Sequence, residues 1–145
     1  MRLVIGHDDI VARFVASLIP FEPGLDFGDC TALGVDRDGL LVGGFVFNNW
    51  SREAGVIELS FAGIDRRWLA RPILYAVFSY AFDQLGCQMV CSRTPARLKR
   101  AARIARAYGF RQITIPRLFG RAEDGIISTL TAEDWRANGF HKEND

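Results

Sequence analysis

Three arginines, Arg66, Arg67 and Arg71, stand just before a segment that is predicted to form a very apolar helix. Pro72 fits the first turn of that helix, because its missing N–H costs little there. The N-terminus of a helix presents unpaired N–H groups and a partial positive charge, and both attract phosphate. Guanidinium groups would add charge-assisted hydrogen bonds. The pattern therefore predicts an anion-binding site, with a solvated surface loop as the alternative.

A second group of polar residues lies on the strand predicted at residues 56–62. Side chains alternate between the two faces of a strand, so Glu58 shares one face with Ser60 while the apolar residues share the other. Asn48 and Asn49 lie at the turn that precedes this strand. Such a turn can line a cleft, and ordinary turn chemistry explains asparagine equally well. Glu58 is accordingly either a structurally paired carboxylate or one that takes part in chemistry.

The stretch from Arg93 to Arg111 contains no acidic residue. A surface of this kind is typical of a solvated helix face, and the same charges would bind the phosphates of a cofactor or of a nucleic acid. The formal net charge of +1 gives no general attraction to nucleic acid or to an anionic membrane, which favours the solvated face. The cations of this stretch are Arg93, Arg97, Lys99, Arg100, Arg103, Arg106 and Arg111.

Length and composition limit the class of protein. The chain has 145 residues, 49% of them apolar, which predicts one domain with one core over residues 1–145. Three irregularly spaced cysteines, Cys30, Cys87 and Cys91, argue against a disulfide framework, and no metal site is expected. No apolar stretch approaches the ~20 residues of a membrane span, and the N-terminus lacks the pattern of a signal peptide. We therefore expect a cytoplasmic protein with free thiols and no membrane partner.

Hydrophobic periodicity predicts ten elements in the order β-α-β-β-β-α-β-α-β-β. Thr94 is expected to cap the third helix, with Pro95 at its first position and Gly109 just past its end. The fold class that follows is α/β (α+β), with a mixed sheet and helices on both faces. The tail at 141–145 is expected to fray. Strands are predicted at 2–5, 31–35, 40–47, 56–62, 89–92, 113–115 and 125–130, and helices between Asp8 and Pro20, at 72–85 and at 95–108.

This order of elements, together with three local strings, resembles the Gcn5-related N-acetyltransferases (GNAT). The string VIELSFAG at 56–63 is similar to the family's central fourth strand, and RPILYAVFSYAFDQLGC at 71–87 to the helix that follows it. RIARAYGFRQ at 103–112 is similar to a family helix that ends in a Gly-Phe pair, here Gly109-Phe110. The resemblance covers roughly residues 28–135. It is greatest to the ribosomal-protein acetyltransferases and to short GNAT-like proteins of phages and prophages, and it implies a mostly antiparallel sheet.

The resemblance implies that the chain binds acetyl-CoA. The family holds the diphosphate of that cofactor in a Gln/Arg-x-x-Gly-x-Gly/Ala loop, which aligns with residues 65–70. Here Asp65 stands at the first position and Trp68 replaces the first glycine. The implied cofactor-binding residues are Arg66, Arg67, Trp68, Leu69, Ala70 and Arg71 around this loop, and Arg97 from the basic stretch for the 3′-phosphate.

The resemblance also implies acetylation of an amine by direct attack in a ternary complex. A carboxylate on the central strand, acting through water, is one solution found in the family, and Glu58 with Ser60 beside it occupies a similar place. The family's frequent tyrosine acid falls at Ala105 and its frequent asparagine at Leu98, so two polar groups on the cofactor side are missing.

Two other interpretations are compatible with these departures from the family pattern. The first is a catalytically degenerate binding or structural protein, for example a phage accessory or virion component. The second is an acyltransferase directed at nucleic acid or charged tRNA through the basic stretch. The sequence identifies neither the acceptor amine nor an oligomeric state.

Overall fold

The computed structural model describes residues 1–20, 22 and 24–140. These residues form one seven-stranded sheet and four helices. The strands are β1 (Arg2–Val4), β2 (Cys30–Arg37), β3 (Leu40–Ser51), β4 (Val56–Gly63), β5 (Met89–Pro95), β6 (Arg111–Gly120) and β7 (Glu123–Thr131). The helices are α1 (Asp8–Leu18), α2 (Arg71–Ser79), α3 (Lys99–Tyr108) and α4 (Ala132–Ala137), and a π-helical turn at Tyr80–Gln84 extends α2.

The sheet has the strand order β1-β2-β3-β4-β5-β7-β6. Its neighbouring strands run antiparallel except β4 and β5, which are parallel because α2 crosses between them. The turn between β2 and β3 places Asp38 and Gly39 at positive φ, as a two-residue hairpin requires. The predicted fold class, mixed and mostly antiparallel, is confirmed.

Helices cover both faces of the sheet, as predicted. On one face α1 buries Val11 and Val15 against the central strands. On the other face lies a larger core in which α2, α3 and α4 meet, and the ring of Phe78 stacks on Tyr108 with centroids 4.9 Å apart. This larger core includes residues from β2 through α4 and is continuous across the parallel strand pair. No helix in the described part of the chain is long and apolar enough to span a membrane.

The predicted start of the third helix is wrong. Thr94 and Pro95 belong to β5, where they pair with Ile126 and Gly125 of β7, and α3 begins at Lys99 after Leu98. Pairing with β7 along the whole of β5 outweighs the local helix-start signal. The predicted end is confirmed, because Gly109 adopts φ 118° at the C-terminus of α3.

Other boundaries differ by smaller amounts. β3 continues to Ser51, so the turn predicted at 48–55 is shorter, and β6 and β7 are longer than predicted because they pair with each other. The short helix α4 was not predicted. Thr131 caps it by accepting a hydrogen bond from the N–H of Asp134. The tail at 141–145 lies outside the described residues.

Candidate functional site

The sheet opens between β4 and β5. These strands pair only over Val56–Glu58 and Met89–Cys91, after which β4 stays with β3 and β5 with β7. The N–H of Ile64 donates to the carbonyl of Val42 on the β3 side, over 2.8 Å. Because backbone groups alternate in direction along a strand, the N–H groups of Phe61 and Gly63 point the other way, into the opening.

An apolar cavity of about 980 Å³ occupies this opening on the face covered by α2 and α3. Its wall includes Leu59 and Phe61 from β4, Leu74 and Phe78 from α2, and Ile104 from α3. Exposed cationic residues of the basic stretch, Lys99 and Arg100, also line it. The cavity thus combines an apolar interior with a positively charged border, which suits a flexible arm that ends in anionic groups.

A smaller polar pocket of about 180 Å³ lies on the α1 face of the same opening. Leu59 lines both spaces, so the two meet where β4 and β5 part. The small pocket contains both predicted catalytic residues, Glu58 and Ser60, together with Arg93 and Ser92 of β5. Two further carboxylates that sequence reasoning missed, Glu22 and Asp26, complete it.

Glu58 is held from the side by β3. A bulge interrupts the pairing of β3 with β4 between Asn48 and Ser51, and Asn49 adopts φ 52°, a conformation that asparagine tolerates. Its amide nitrogen then donates to Glu58 Oε2 over 3.1 Å. The amide of Asn48 donates to the carbonyl of Phe27, also over 3.1 Å. Both asparagines are therefore fixed in the pocket wall.

The carboxylate of Glu58 also acts on Cys91, its pairing partner on β5. Burial is the main reason that the pKa of the Cys91 thiol is raised, and the negative charge of Glu58 raises it further. The Arg93 cation opposes this shift in pKa. Cys91 therefore remains a neutral thiol near pH 7, which does not favour a role as nucleophile.

The loop at 65–70 is built around Asp65. Asp65 Oδ1 accepts a hydrogen bond from the N–H of Arg67 over 2.8 Å, and Oδ2 accepts one from Arg37 Nη1, also over 2.8 Å. These bonds hold the pKa of Asp65 below its ordinary value, the Arg67 N–H being the larger cause. The N–H of Trp68 donates to the carbonyl of Asp65 over 3.3 Å. Two loop amides therefore already have acceptors within the loop.

Trp68 anchors this loop on the sheet. Its indole is buried and lies over Gly43 of β3 and Gly63 of β4, where the Cβ of any other residue would overlap the ring. The ring centroid is 4.9 Å from that of Phe45 and 6.3 Å from that of Phe61. Trp68 therefore holds the loop against β3 and β4 through its side chain.

The remaining predicted cofactor residues are divided between the loop, the helix start and the cavity. Arg66 and Arg67 are exposed, and Ala70 caps α2 without a side-chain acceptor. Arg71 places its guanidinium carbon 4.7 Å from the centroid of Phe140. Four of the seven residues line the cavity, but one of them, Arg97, is ion-paired with Glu123. Those lining the cavity are Arg66, Trp68, Leu69 and Arg97.

Tyr108 has a structural role in the core beside the cavity. It is buried at the inner wall of the cavity, and its hydroxyl accepts a hydrogen bond from Trp135 Nε1 over 3.1 Å. Burial raises its pKa to about 12. A tyrosine held in this way is a poor proton donor at neutral pH.

The cavity and the loop at 65–70 differ in the groups that they offer to a ligand. An apolar wall and two backbone N–H groups directed into the opening are suited to an arm that carries amides and an acyl group. The loop, in contrast, already holds a carboxylate at the amide of Arg67. The loop at 65–70 therefore differs from the expected phosphate-binding loop in having its own carboxylate at an amide that could bind an anion.

The sequence matches no protein-family model and no curated protein. Solved structures with the same fold are nevertheless numerous. A mutant form of the spermidine/spermine N-acetyltransferase SpeG from Vibrio cholerae aligns with a TM-score of 0.76 at 13% identity, over 95% of this chain and 98% of that chain. A chimera of Vibrio cholerae SpeG and hSSAT aligns with a TM-score of 0.73 at 14% identity, over 94% and 99%. A structure described as a probable acetyltransferase gives a TM-score of 0.61 at 17% identity, over 88% and 70%.

At these identities the likeness establishes the fold, which is that of the GNAT acetyltransferases. The expected resemblance to this fold is thereby confirmed. The comparisons give no support to the ribosomal-protein branch or to the phage and prophage proteins as the nearest relatives.

Proposed function

We propose that this chain is an N-acyltransferase that transfers an acetyl group from acetyl-CoA to an amine in a ternary complex. The observation that carries the proposal is the opening between β4 and β5, where an apolar cavity and a polar pocket meet at Leu59. A thioester from one face and an amine from the other would be brought together at this point. The shared fold with known acetyltransferases supports the same reaction class.

The bound cofactor would supply the acetyl thioester. Side chains of β4, α2 and α3 would hold its pantetheine arm, and the N–H groups of Phe61 and Gly63 would donate to the arm's oxygens. Arg66 and Arg67 at the loop, Arg71 at the start of α2, and Arg97 would lie on the side of its phosphates.

Glu58 is proposed as the general base. A protonated amine cannot attack a thioester, and amine pKa values near ~8 for an α-amino group or ~10.4 for lysine require that a proton be removed at neutral pH. Glu58 would take that proton directly or through a water, while Asn49 fixes its carboxylate. Ser60 lies on the same face of β4 and lines the same pocket.

The acceptor is proposed to be a cationic amine. Glu22, Asp26 and Glu58 place three carboxylates in a small pocket that has Arg93 as its one cation among the described lining residues. This balance attracts positive charge.

The enzyme is proposed to consist of one domain over residues 1–145, which the continuous larger core supports. It is proposed to act in the cytoplasm, which the three free cysteines support.

The reaction is tested by incubating the protein with labelled acetyl-CoA and a panel of amines, including polyamines, lysine and short peptides. We expect a mass increase of one acetyl group on a cationic amine, formed much more slowly by Glu58→Gln near pH 7. Calorimetry with acetyl-CoA and with S-acetylpantetheine accompanies the assay. Binding of a donor without transfer to any amine would favour the non-catalytic alternative, and absence of binding by every pantetheine compound would reject the proposal.

A further inference from the structure

Asp65 occupies two groups of the loop region that could otherwise bind an external anion. One of its carboxylate oxygens accepts a hydrogen bond from the N–H of Arg67, and the other accepts one from the guanidinium of Arg37, each over 2.8 Å. A main-chain amide and an arginine are the groups that bind phosphate in loops of this type. A diphosphate entering the loop would meet a fixed negative charge and would have to displace it.

The main chain of the loop is anchored to the core through Trp68. Trp68 is buried to 93% of its surface and fits over Gly43 and Gly63, which have no side chain to obstruct the ring. Its N–H is bonded to the carbonyl of Asp65. A change in the main chain of the loop that broke this bond would therefore disturb a residue that belongs to the core.

We propose that the acyl donor is recognised by its pantetheine thioester arm, and that Asp65 excludes a nucleotide diphosphate from contributing to binding. The inference rests on the proposed function and narrows its donor to a chemical class, the acyl-pantetheine thioesters. Such a thioester is found free, on the nucleotide of coenzyme A, or on an acidic carrier protein.

The charges around the cavity distinguish these sources. Four cations of α3, namely Lys99, Arg100, Arg103 and Arg106, form no ion pair with any described residue, and two of them line the cavity. No acidic residue occurs between Asp83 and Glu123. An acidic carrier protein that delivered the arm would bring negative charge to the cations of α3, whereas a free thioester would make no use of these cations.

The test compares calorimetric binding of acetyl-CoA and S-acetylpantetheine to four forms of the protein: wild type, Asp65→Ala, Asp65→Asn and Asp83→Ala. The last is a matched control, because it removes a carboxylate paired with Arg136 elsewhere on the surface. For wild type we expect the two dissociation constants to agree within about tenfold. Asp65→Ala should tighten acetyl-CoA binding by about tenfold and leave S-acetylpantetheine unchanged. Asp65→Asn, which removes the charge but retains an acceptor for Arg67, should give an intermediate value, and Asp83→Ala should change neither ligand.

Acetyl-CoA binding on the order of 100-fold more tightly than S-acetylpantetheine in wild type, with no gain in Asp65→Ala, would overturn the inference while leaving the proposed function intact. Failure of both ligands to bind would reject the proposed function itself. An acetylated carrier protein forms a third arm. Salt-sensitive binding to this carrier protein that is abolished in Arg100→Glu and Arg103→Glu would support a carrier-borne arm. Binding of S-acetylpantetheine but not of the carrier protein, with equal affinity in wild type and both variants, would support a free thioester. Binding of RNA to α3 that displaces every thioester would contradict both sources.

Discussion

The side-chain amide of Asn49 donates a hydrogen bond to Glu58 Oε2 over 3.1 Å, across the bulged end of the β3–β4 ladder. The bulge and the left-handed backbone of Asn49 turn its amide toward the polar pocket. One oxygen of Glu58 is thereby held from the side, and the carboxylate has a fixed orientation in the pocket before any substrate enters.

Glu58→Gln should lower acetyl transfer by about 10²–10⁴-fold near pH 7, because glutamine keeps the size of the residue but cannot accept the proton. The deficit should shrink as the pH rises above 8, since more of the amine is then already deprotonated. Glu53→Gln, which alters an exposed carboxylate of the β3–β4 turn, is the control and should retain full activity. The measurement is the pH–rate profile of each variant. A deficit that stays constant with pH would assign Glu58 a structural role.

Cys91 reports the charge of Glu58 without any activity assay. Burial and then Glu58 raise the pKa of this thiol, so alkylation should be slow at pH 7 and should accelerate as the pH rises. Glu58→Gln removes the negative charge and lowers this pKa, so the alkylation rate of Cys91 at pH 8 should increase.

Cys30 is the internal control for this experiment. Burial and Asp8 raise its pKa, and Glu58 is not among the causes. Peptide-resolved mass spectrometry should therefore find its alkylation rate unchanged in Glu58→Gln. Equal alkylation rates of Cys91 in wild type and Glu58→Gln would show that Glu58 does not act on the Cys91 thiol.

The close packing of the Trp68 ring over Gly43 predicts that substitutions at these two positions are strongly coupled in their effects on stability. Gly43→Ala places a Cβ inside the volume of the indole, so it should lower the free energy of unfolding by about 1–3 kcal/mol. In a Trp68→Leu background the same change should cost much less, because the overlapping ring is gone. Urea unfolding of the four forms gives the coupling energy. Additive effects would mean that Trp68 does not occupy this position.

The aromatic core around α2 should dominate stability. Phe82 is buried and stacks on Trp135, with ring centroids 5.1 Å apart. Phe82→Ala should lower the free energy of unfolding by about 3–5 kcal/mol. Ile113 is 62% exposed, and Ile113→Ala should change the free energy of unfolding by no more than about 0.5 kcal/mol. Similar losses in the two variants would contradict the assigned core.

The parts of the fold that depend on local pattern were predictable from the sequence. Alternation along β4 placed Glu58 and Ser60 on one face, and the structure puts both in one pocket. Gly109 ends α3 because a left-handed residue is needed there. Thr94 and Pro95 show the limit, since a long-range pairing with β7 overrides the same kind of local signal.

The candidate site was only partly predictable, because its key contacts join distant segments. Asp65 could be recognised as a departure from the family loop, but its bond to Arg37 spans 28 positions of sequence. The two glycines under Trp68 lie on different strands, and nothing in their local sequence indicates a ring above them. Glu22 and Asp26 line the same pocket as Glu58, more than 30 positions away in sequence, and no local pattern indicates that neighbourhood.

The short pairing between β4 and β5 divides the chain in sequence as well as in space. Strands β1–β4 come from the first 63 residues and β5–β7 from residues 89–131, so each ladder on either side of the opening is complete within one contiguous segment. The main-chain pairing between the two segments covers only Val56–Glu58 and Met89–Cys91, with the carbonyl of Gly55 accepting from the N–H groups of Gln88 and Met89 beside it. A single cut in the exposed stretch near Arg66 would therefore yield two fragments with intact ladders. Their reassembly would depend on these few main-chain bonds and on the apolar side chains of the larger core that both fragments share.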